Sequence, residues 1–128
     1  MSSRQIRKGF QNVIPFLSIQ GAAKLVEFLG SAFGAKQTYA TKSGTHFEVR
    51  IGDSMLMIGD AGDRPPTTGQ LFMYVEDADA LYKRAIGAGA SSLMEPCDRP
   101  WGEGDELMRA AAVKDPSGNG WYLAGPKP

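Results

Sequence analysis

Val13-Ile14-Pro15-Phe16-Leu17-Ser18-Ile19, running on through Gln20-Gly21-Ala22-Ala23-Lys24-Leu25, is a short apolar strand that feeds a helical pattern ending at Gly34-Ala35. The same order returns further along. Leu71-Phe72-Met73-Tyr74-Val75 leads through Glu76-Asp77-Ala78-Asp79-Ala80-Leu81 into a second helical pattern ending at Gly89-Ala90. Each copy continues into three extended segments separated by Gly, Asp and Ser turns. A unit this long, present twice, marks a duplicated module inside one domain, because solenoids stack three or more shorter units. The duplication predicts an α+β chain ordered βαβββ and again βαβββ, with module one over about 12–60, a linker over about 61–68 and module two over about 69–125.

The bulk composition agrees. A chain of 128 residues is one domain, large enough to bury a core without staples. Its lone cysteine, Cys97, cannot form an intrachain disulfide and suits a reducing compartment, so a cytoplasmic location is expected. Residues 1–12 lack the apolar centre of a signal peptide and the apolar runs are strand-length, so no membrane partner is expected. Lys plus Arg and Asp plus Glu stand at 14 each, with no basic run interleaved with aromatics, which argues against nucleic acid. Sixteen glycines and eight prolines favour short strands and turns over a helical bundle.

In module one, residues 13–19 read as the first strand and 22–33 as an amphipathic helix with Leu25, Phe28, Leu29 and Ala32 at helical spacing, stopped by Gly34. Strands follow over 35–41, 45–51 and 54–58. Pro65-Pro66 interrupts any sheet between Gly59 and Thr68, so that stretch reads as the linker at its widest. Module two offers a strand over 70–75, then a helix capped by Asp77 with Ala78, Leu81, Tyr82, Ala85 and Ile86 on one face. A strand over 90–94, a polar loop over 97–106 carrying Trp101-Gly102, and strands over 107–114 and 121–124 complete it.

Alternation sorts the strand residues by face. Phe47, Val49 and Ile51 share the side that a helix must cover, which leaves His46, Glu48 and Arg50 on the front. By the same count Val13, Leu17 and Ile19 lie under the first helix, with Ile14, Phe16 and Ser18 opposite. Leu71, Met73 and Val75 lie under the second helix, with Gln70, Phe72 and Tyr74 opposite. Each sheet therefore has an apolar back and a front where Phe16, Met55, Met57, Phe72, Tyr74, Trp101 and Tyr122 mix with a few polar groups, the composition of a small-molecule pocket.

Several stretches together resemble the vicinal oxygen chelate superfamily, which groups glyoxalase I, the bleomycin-resistance proteins and the extradiol dioxygenases. They are Ile14-Pro15-Phe16-Leu17, Ala32-Phe33-Gly34-Ala35, the hairpin from His46 to Met57, Tyr74-Val75-Glu76-Asp77 with Asp79, Trp101-Gly102, and Arg109 to Trp121 with its Asp115-Pro116-Ser117-Gly118. The narrower likeness is to the PhnB-like branch, over about residues 12–125. The resemblance implies cupped mixed sheets with helices on the outside, a cavity between the sheets, and a homodimer. It also implies a divalent metal held by side chains from the first and last strand of each module, at places that fall here near Ile14, Met57, Gln70 and Tyr122. Isoleucine has no donor, a thioether is soft and a neutral phenol is a poor ligand. A one-residue shift offers only Val13 or Pro15, Leu56 or Ile58, and Trp121 or Leu123, so no metal or other cofactor is expected and Lewis-acid chemistry is not supported. Two departures from the branch bear on the pocket mouth: Glu103 to Met108 lengthens the run before Arg109, and Asn119 stands where a histidine is frequent.

His46, the only histidine, forms with Glu48 a pair suited to general-base catalysis. Arg50 and Arg109 suit an anionic group, Gln70 a polar contact, and Phe16, Met57, Phe72, Tyr74, Trp101 and Tyr122 a flat or apolar ligand. Equally, Glu48 and Arg50 can pair within the sheet while the rings close up as ordinary core. Asp115-Pro116-Ser117-Gly118 reads as a tight strand connection concerned with fold. The expected function is metal-independent binding of a small aromatic or hydrophobic molecule between the cupped sheets. Two alternatives stay open: a lyase or isomerase acting on a small oxygen-rich substrate with His46 as base, and a pocketless dimeric scaffold.

Overall fold

The computed structural model describes residues 6–128. Strand β1 (Phe16–Ile19) leads into helix α1 (Ala22–Phe33) and strands β2 (Lys36–Ala40), β3 (His46–Ile51) and β4 (Ser54–Asp60). The second half repeats the order with β5 (Gln70–Tyr74), α2 (Ala78–Gly87), β6 (Ser91–Arg99), β7 (Met108–Lys114) and β8 (Gly120–Gly125). Each half builds its own four-stranded mixed sheet, ordered β1-β4-β3-β2 and β5-β8-β7-β6. The first and last strands of each module thus lie side by side and parallel. The duplicated α+β architecture read from the sequence is the architecture of the chain.

Helix α1 buries Leu25, Phe28, Leu29 and Ala32, the residues its periodicity selects, and stops at Gly34, whose φ of 72° costs least where there is no Cβ. Helix α2 starts where the Asp77 carboxylate accepts the Ala80 N–H at 3.0 Å. The two helices pack against each other, and the backs of both sheets join in one core that includes Ile19, Leu29, Val49, Val113, Trp121 and Leu123. Phe33, at the end of α1, meets Trp121 of β8 with ring centroids 5.1 Å apart. Since both backs face this shared core, both fronts face away from it.

Boundaries differ from the sequence reading where prolines and bulges intervene. The first strand begins at Phe16 and not at Val13, because Pro15 has no N–H for the ladder; Val13 is 83% exposed and not under α1. Strand β6 continues through Pro96 to Arg99, into residues expected to be loop. It is an edge strand with register shifts on both sides of Met94, a setting where a missing N–H is tolerated. Strand β4 extends to Asp60, and Ile86, expected on the buried face of α2, is exposed. The linker is anchored: Thr67 N–H bonds the Ser18 carbonyl at 2.8 Å, and the Gln20 amide holds the carbonyls of Gly62 and Arg64.

The β7–β8 turn is a closed polar network. Buried Asp115 accepts the N–H groups of Ser117 and Asn119 at 2.8 and 3.0 Å through Oδ1. Its Oδ2 accepts Asn119 Nδ2 at 3.0 Å and Trp121 Nε1 at 2.8 Å. Asn119 Oδ1 accepts the Gly69 N–H at 3.0 Å, so the residue standing where histidine is frequent ties the end of the linker to this turn.

Candidate functional site

His46, Glu48 and Arg50 do occupy the front of sheet one, with Met57 across from Glu48 and Phe16 beside Met57. Yet the Glu48 side chain is only 3% exposed. The N-terminal arm buries it. Arg7 Nη1 donates to Glu48 Oε2 at 2.8 Å and Nη2 to Oε1 at 2.7 Å, a two-pronged charge-assisted fork. The same guanidinium lies 4.6 Å from the centre of the Phe10 ring. Gln11 fastens the arm to β4, its amide donating to the Met55 carbonyl at 2.7 Å and its oxygen accepting the Met55 N–H at 3.1 Å. His46 Nε2 stands 3.4 Å from Glu48 Oε2, and its ring centroid is 5.8 Å from that of Phe16. The bonds from Arg7, and secondarily from His46, hold the Glu48 carboxyl below the usual carboxylate range against the opposing effect of burial. Sequence reasoning missed Arg7 and Gln11, because residues 6–11 carry no periodicity and their partners lie about forty positions away.

Part of the front of sheet two is covered from its own loop. Trp101 lies in the connection after β6, yet its indole is 5.8 Å from Phe72 on the opposite edge strand and 6.5 Å from Tyr122 between them. Tyr74 meets Phe72 edge-on at 5.2 Å. The loop turns tightly at Gly102, where a Cβ would come within 2.8 Å of the Glu106 carbonyl oxygen. Gln70 borders a small recess with Leu93 and Lys114. Arg109 is elsewhere. Alternation along β7 puts it with Ala111 and Val113 on the helix side, where Nε donates to Asp79 Oδ1 at 2.8 Å and Nη1 to Asp98 Oδ1 at 3.4 Å.

A cleft of about 840 Å³ opens at the seam between the modules. Its walls are the β3–β4 turn from Ile51 to Leu56 and strand β5 from Leu71 to Val75, with Phe33, Leu81 and Trp121 at its base and Gln11 of the arm beside it. Of the residues expected to bind ligand, Phe72 and Tyr74 line this cleft. The structure places His46, Glu48, Phe16, Arg50 and Met57 together on sheet one, and Trp101 and Tyr122 with Phe72 on sheet two. It does not bring the two groups together within one chain.

Ile14, Met57, Gln70 and Tyr122, at the positions where superfamily enzymes hold a divalent cation, do not fit one. Ile14 has no donor atom, the Met57 sulfur is soft and the Tyr122 phenol is a poor ligand, which leaves Gln70 alone. Among the described residues, no three His, Cys, Asp or Glu side chains converge as a metal site.

The model of the Glyoxalase/Bleomycin resistance protein/Dioxygenase superfamily matches residues 16–123, and the chain belongs to that superfamily. An uncharacterized protein of Mycobacterium bovis is 29% identical to it over 128 aligned residues, 88% of this chain and 81% of that protein. An uncharacterized protein of Mycobacterium tuberculosis H37Rv is likewise 29% identical, over 88% of this chain and 72% of its own length. Among solved structures, TioX from Micromonospora sp. ML1 aligns with a TM-score of 0.71 at 22% identity, covering 92% of this chain and 98% of TioX. A glyoxalase-related enzyme from Fulvimarina pelagi aligns with a TM-score of 0.72 at 19% identity, covering 90% and 87%. At such identities the likeness to solved structures is one of fold.

Proposed function

We propose that this chain binds a small aromatic or hydrophobic molecule without a metal, as a member of the PhnB-like branch of its superfamily. The seam cleft carries the reading. Its volume of about 840 Å³ falls within the roughly 300–1,000 Å³ of small-molecule pockets. Its wall is mainly apolar, from Phe33, Leu56, Leu71 and Met73, and Asp53 and Glu76 supply polar groups. Phe72 and Tyr74 give a flat ligand rings to lie against. The protein acts as a homodimer in which a second copy covers the front of sheet two, because Phe72 and Tyr74 are 50% and 77% exposed in the single chain. With balanced charge and one free thiol, it works in the cytoplasm on a small molecule and not on nucleic acid or membrane.

A thermal-shift screen with neutral aromatic compounds tests this, since a ligand that prefers the folded state raises the melting temperature. A hit is expected to act equally in EDTA and to lose most of its effect in Tyr74→Ala. A library without a single stabilising compound, or a shift that EDTA abolishes, would sink the reading. The His46–Glu48 contact favours a second one, a metal-independent lyase or isomerase. There the carboxylate orients the imidazole and its free nitrogen accepts a proton, so His46→Ala would keep binding and lose turnover.

A further inference from the structure

We propose that the front of sheet one is a separate site for an organic cation, and that Arg7 is its resident occupant. A molecule bearing a guanidinium or amidinium on an aromatic or apolar body would displace the arm and take both oxygens of Glu48. The site is distinct from the seam cleft, which Glu48 does not line.

The first ground is the carboxylate. Glu48 lies on β3, an interior strand of its sheet, and beneath the docked arm its side chain is almost wholly buried. An ionised carboxylate in such a place demands a cation with matched hydrogen bonds. The second ground is where that cation comes from. Arg7 belongs to no strand; its side chain is 61% exposed and reaches Glu48 from the solvent side. Side-chain bonds from Gln11 to Met55 and one local turn, Phe10 N–H to the Arg7 carbonyl at 3.0 Å, are the other bonds that hold the arm among the described residues. A segment held this lightly is the kind that exchanges for a free ligand of the same chemistry.

The surroundings fit the same class of molecule. Met57 and Tyr39 are the cross-strand neighbours of Glu48, and Phe16 lies beside Met57. Phe16 and Tyr39 are half exposed, so apolar and aromatic walls stand around an anionic floor. Arg7 already demonstrates the mode of binding, with its fork on the carboxylate and its guanidinium carbon over the Phe10 ring. Arg50, two residues further along the same face, is exposed and forms no salt bridge with Glu48 among the described residues. Its charge selects a ligand whose single positive group sits at one end.

Benzamidine, whose amidinium reproduces the fork and whose ring suits Phe16 and Met57, is the probe, and benzamide is its uncharged isostere. The full chain, Arg7→Ala and Glu48→Gln are titrated with each by calorimetry. Benzamidine is expected to bind Arg7→Ala about tenfold tighter or more than the unaltered protein, because a site blocked by its own arm binds in proportion to the open fraction. Glu48→Gln is expected to lose that binding, while benzamide responds to neither substitution. Equal benzamidine affinity with and without Arg7, or binding retained in Glu48→Gln, overturns the proposal. If Arg7→Ala folds poorly, the unaltered protein decides: benzamidine, and not benzamide, must shift the Arg7 guanidinium and Met55 amide resonances in NMR. Neutral ligands that bind the seam cleft score that reading separately.

Discussion

Glu48 and Asp115 are both carboxylates buried in a small domain, and each is satisfied in a different way. Glu48 depends on a guanidinium from a distant part of the chain, which lowers its pKa. A lowered folded pKa contributes stability that is complete above the ordinary glutamate value of about 4.3 and is lost as pH falls through the folded value. The arm is therefore expected to stay docked at neutral pH and to detach only in acid below that ordinary range. The Met55 amide, which Gln11 holds, should report one such step by NMR, and Glu48→Gln should abolish it. Asp115 is satisfied locally, by backbone N–H groups, the Asn119 amide and the Trp121 indole. Asp115→Ala leaves buried donors unpaired and should cost about 3 kcal/mol, seen as a lower urea midpoint at unchanged slope.

Two glycines end elements of the fold for different reasons. Gly34 ends α1 at φ 72°, and an added Cβ there would meet nothing within 4 Å. The cost of Gly34→Ala is thus conformational alone, about 1–2 kcal/mol, and Gly34→Asn should recover part of it. Gly125 ends β8 with ordinary φ, but its Cβ would lie 2.8 Å from the Val75 carbonyl oxygen and 3.5 Å from the Ala78 N. Gly125→Ala must push the β5–α2 junction away from the sheet, so it should destabilise more than Gly34→Ala in the same denaturation series. Only the first of these penalties follows from a local sequence signal. The stop at Gly34, the Asp77 cap and the alternation in β3 were legible because each depends on neighbours a few residues away. The passage of β6 through Pro96 was not, because its tolerance comes from being the outer strand.

At the level of the molecule, the modules share one core through their helices and sheet backs, and both fronts turn outward. Aromatic side chains as exposed as Tyr74 and Phe72 on the front of sheet two argue for a covering surface, and a twofold partner is the economical one. A stable dimer would bury on the order of 1,200–2,000 Å². Sedimentation equilibrium is expected to give a dimer that Tyr74→Lys weakens without loss of fold by circular dichroism. A monomer at micromolar concentration would remove the homodimer from the proposal.

The duplicated βαβββ order, the buried face of α1, the sorting of His46, Glu48 and Arg50 from Phe47 and Val49, and the superfamily were all present in the linear chain. These follow from periodicity, turn chemistry and short motifs, which act between residues close in sequence. Tertiary structure alone decided that Arg7 caps Glu48, that Trp101 crosses to Phe72, that Arg109 turns back to Asp79, and that the cleft lies at the seam. Each of those contacts joins segments thirty or so residues apart or more, or depends on how two sheets are set against each other. No local preference encodes such pairings; they exist because burying the shared core brings the segments together.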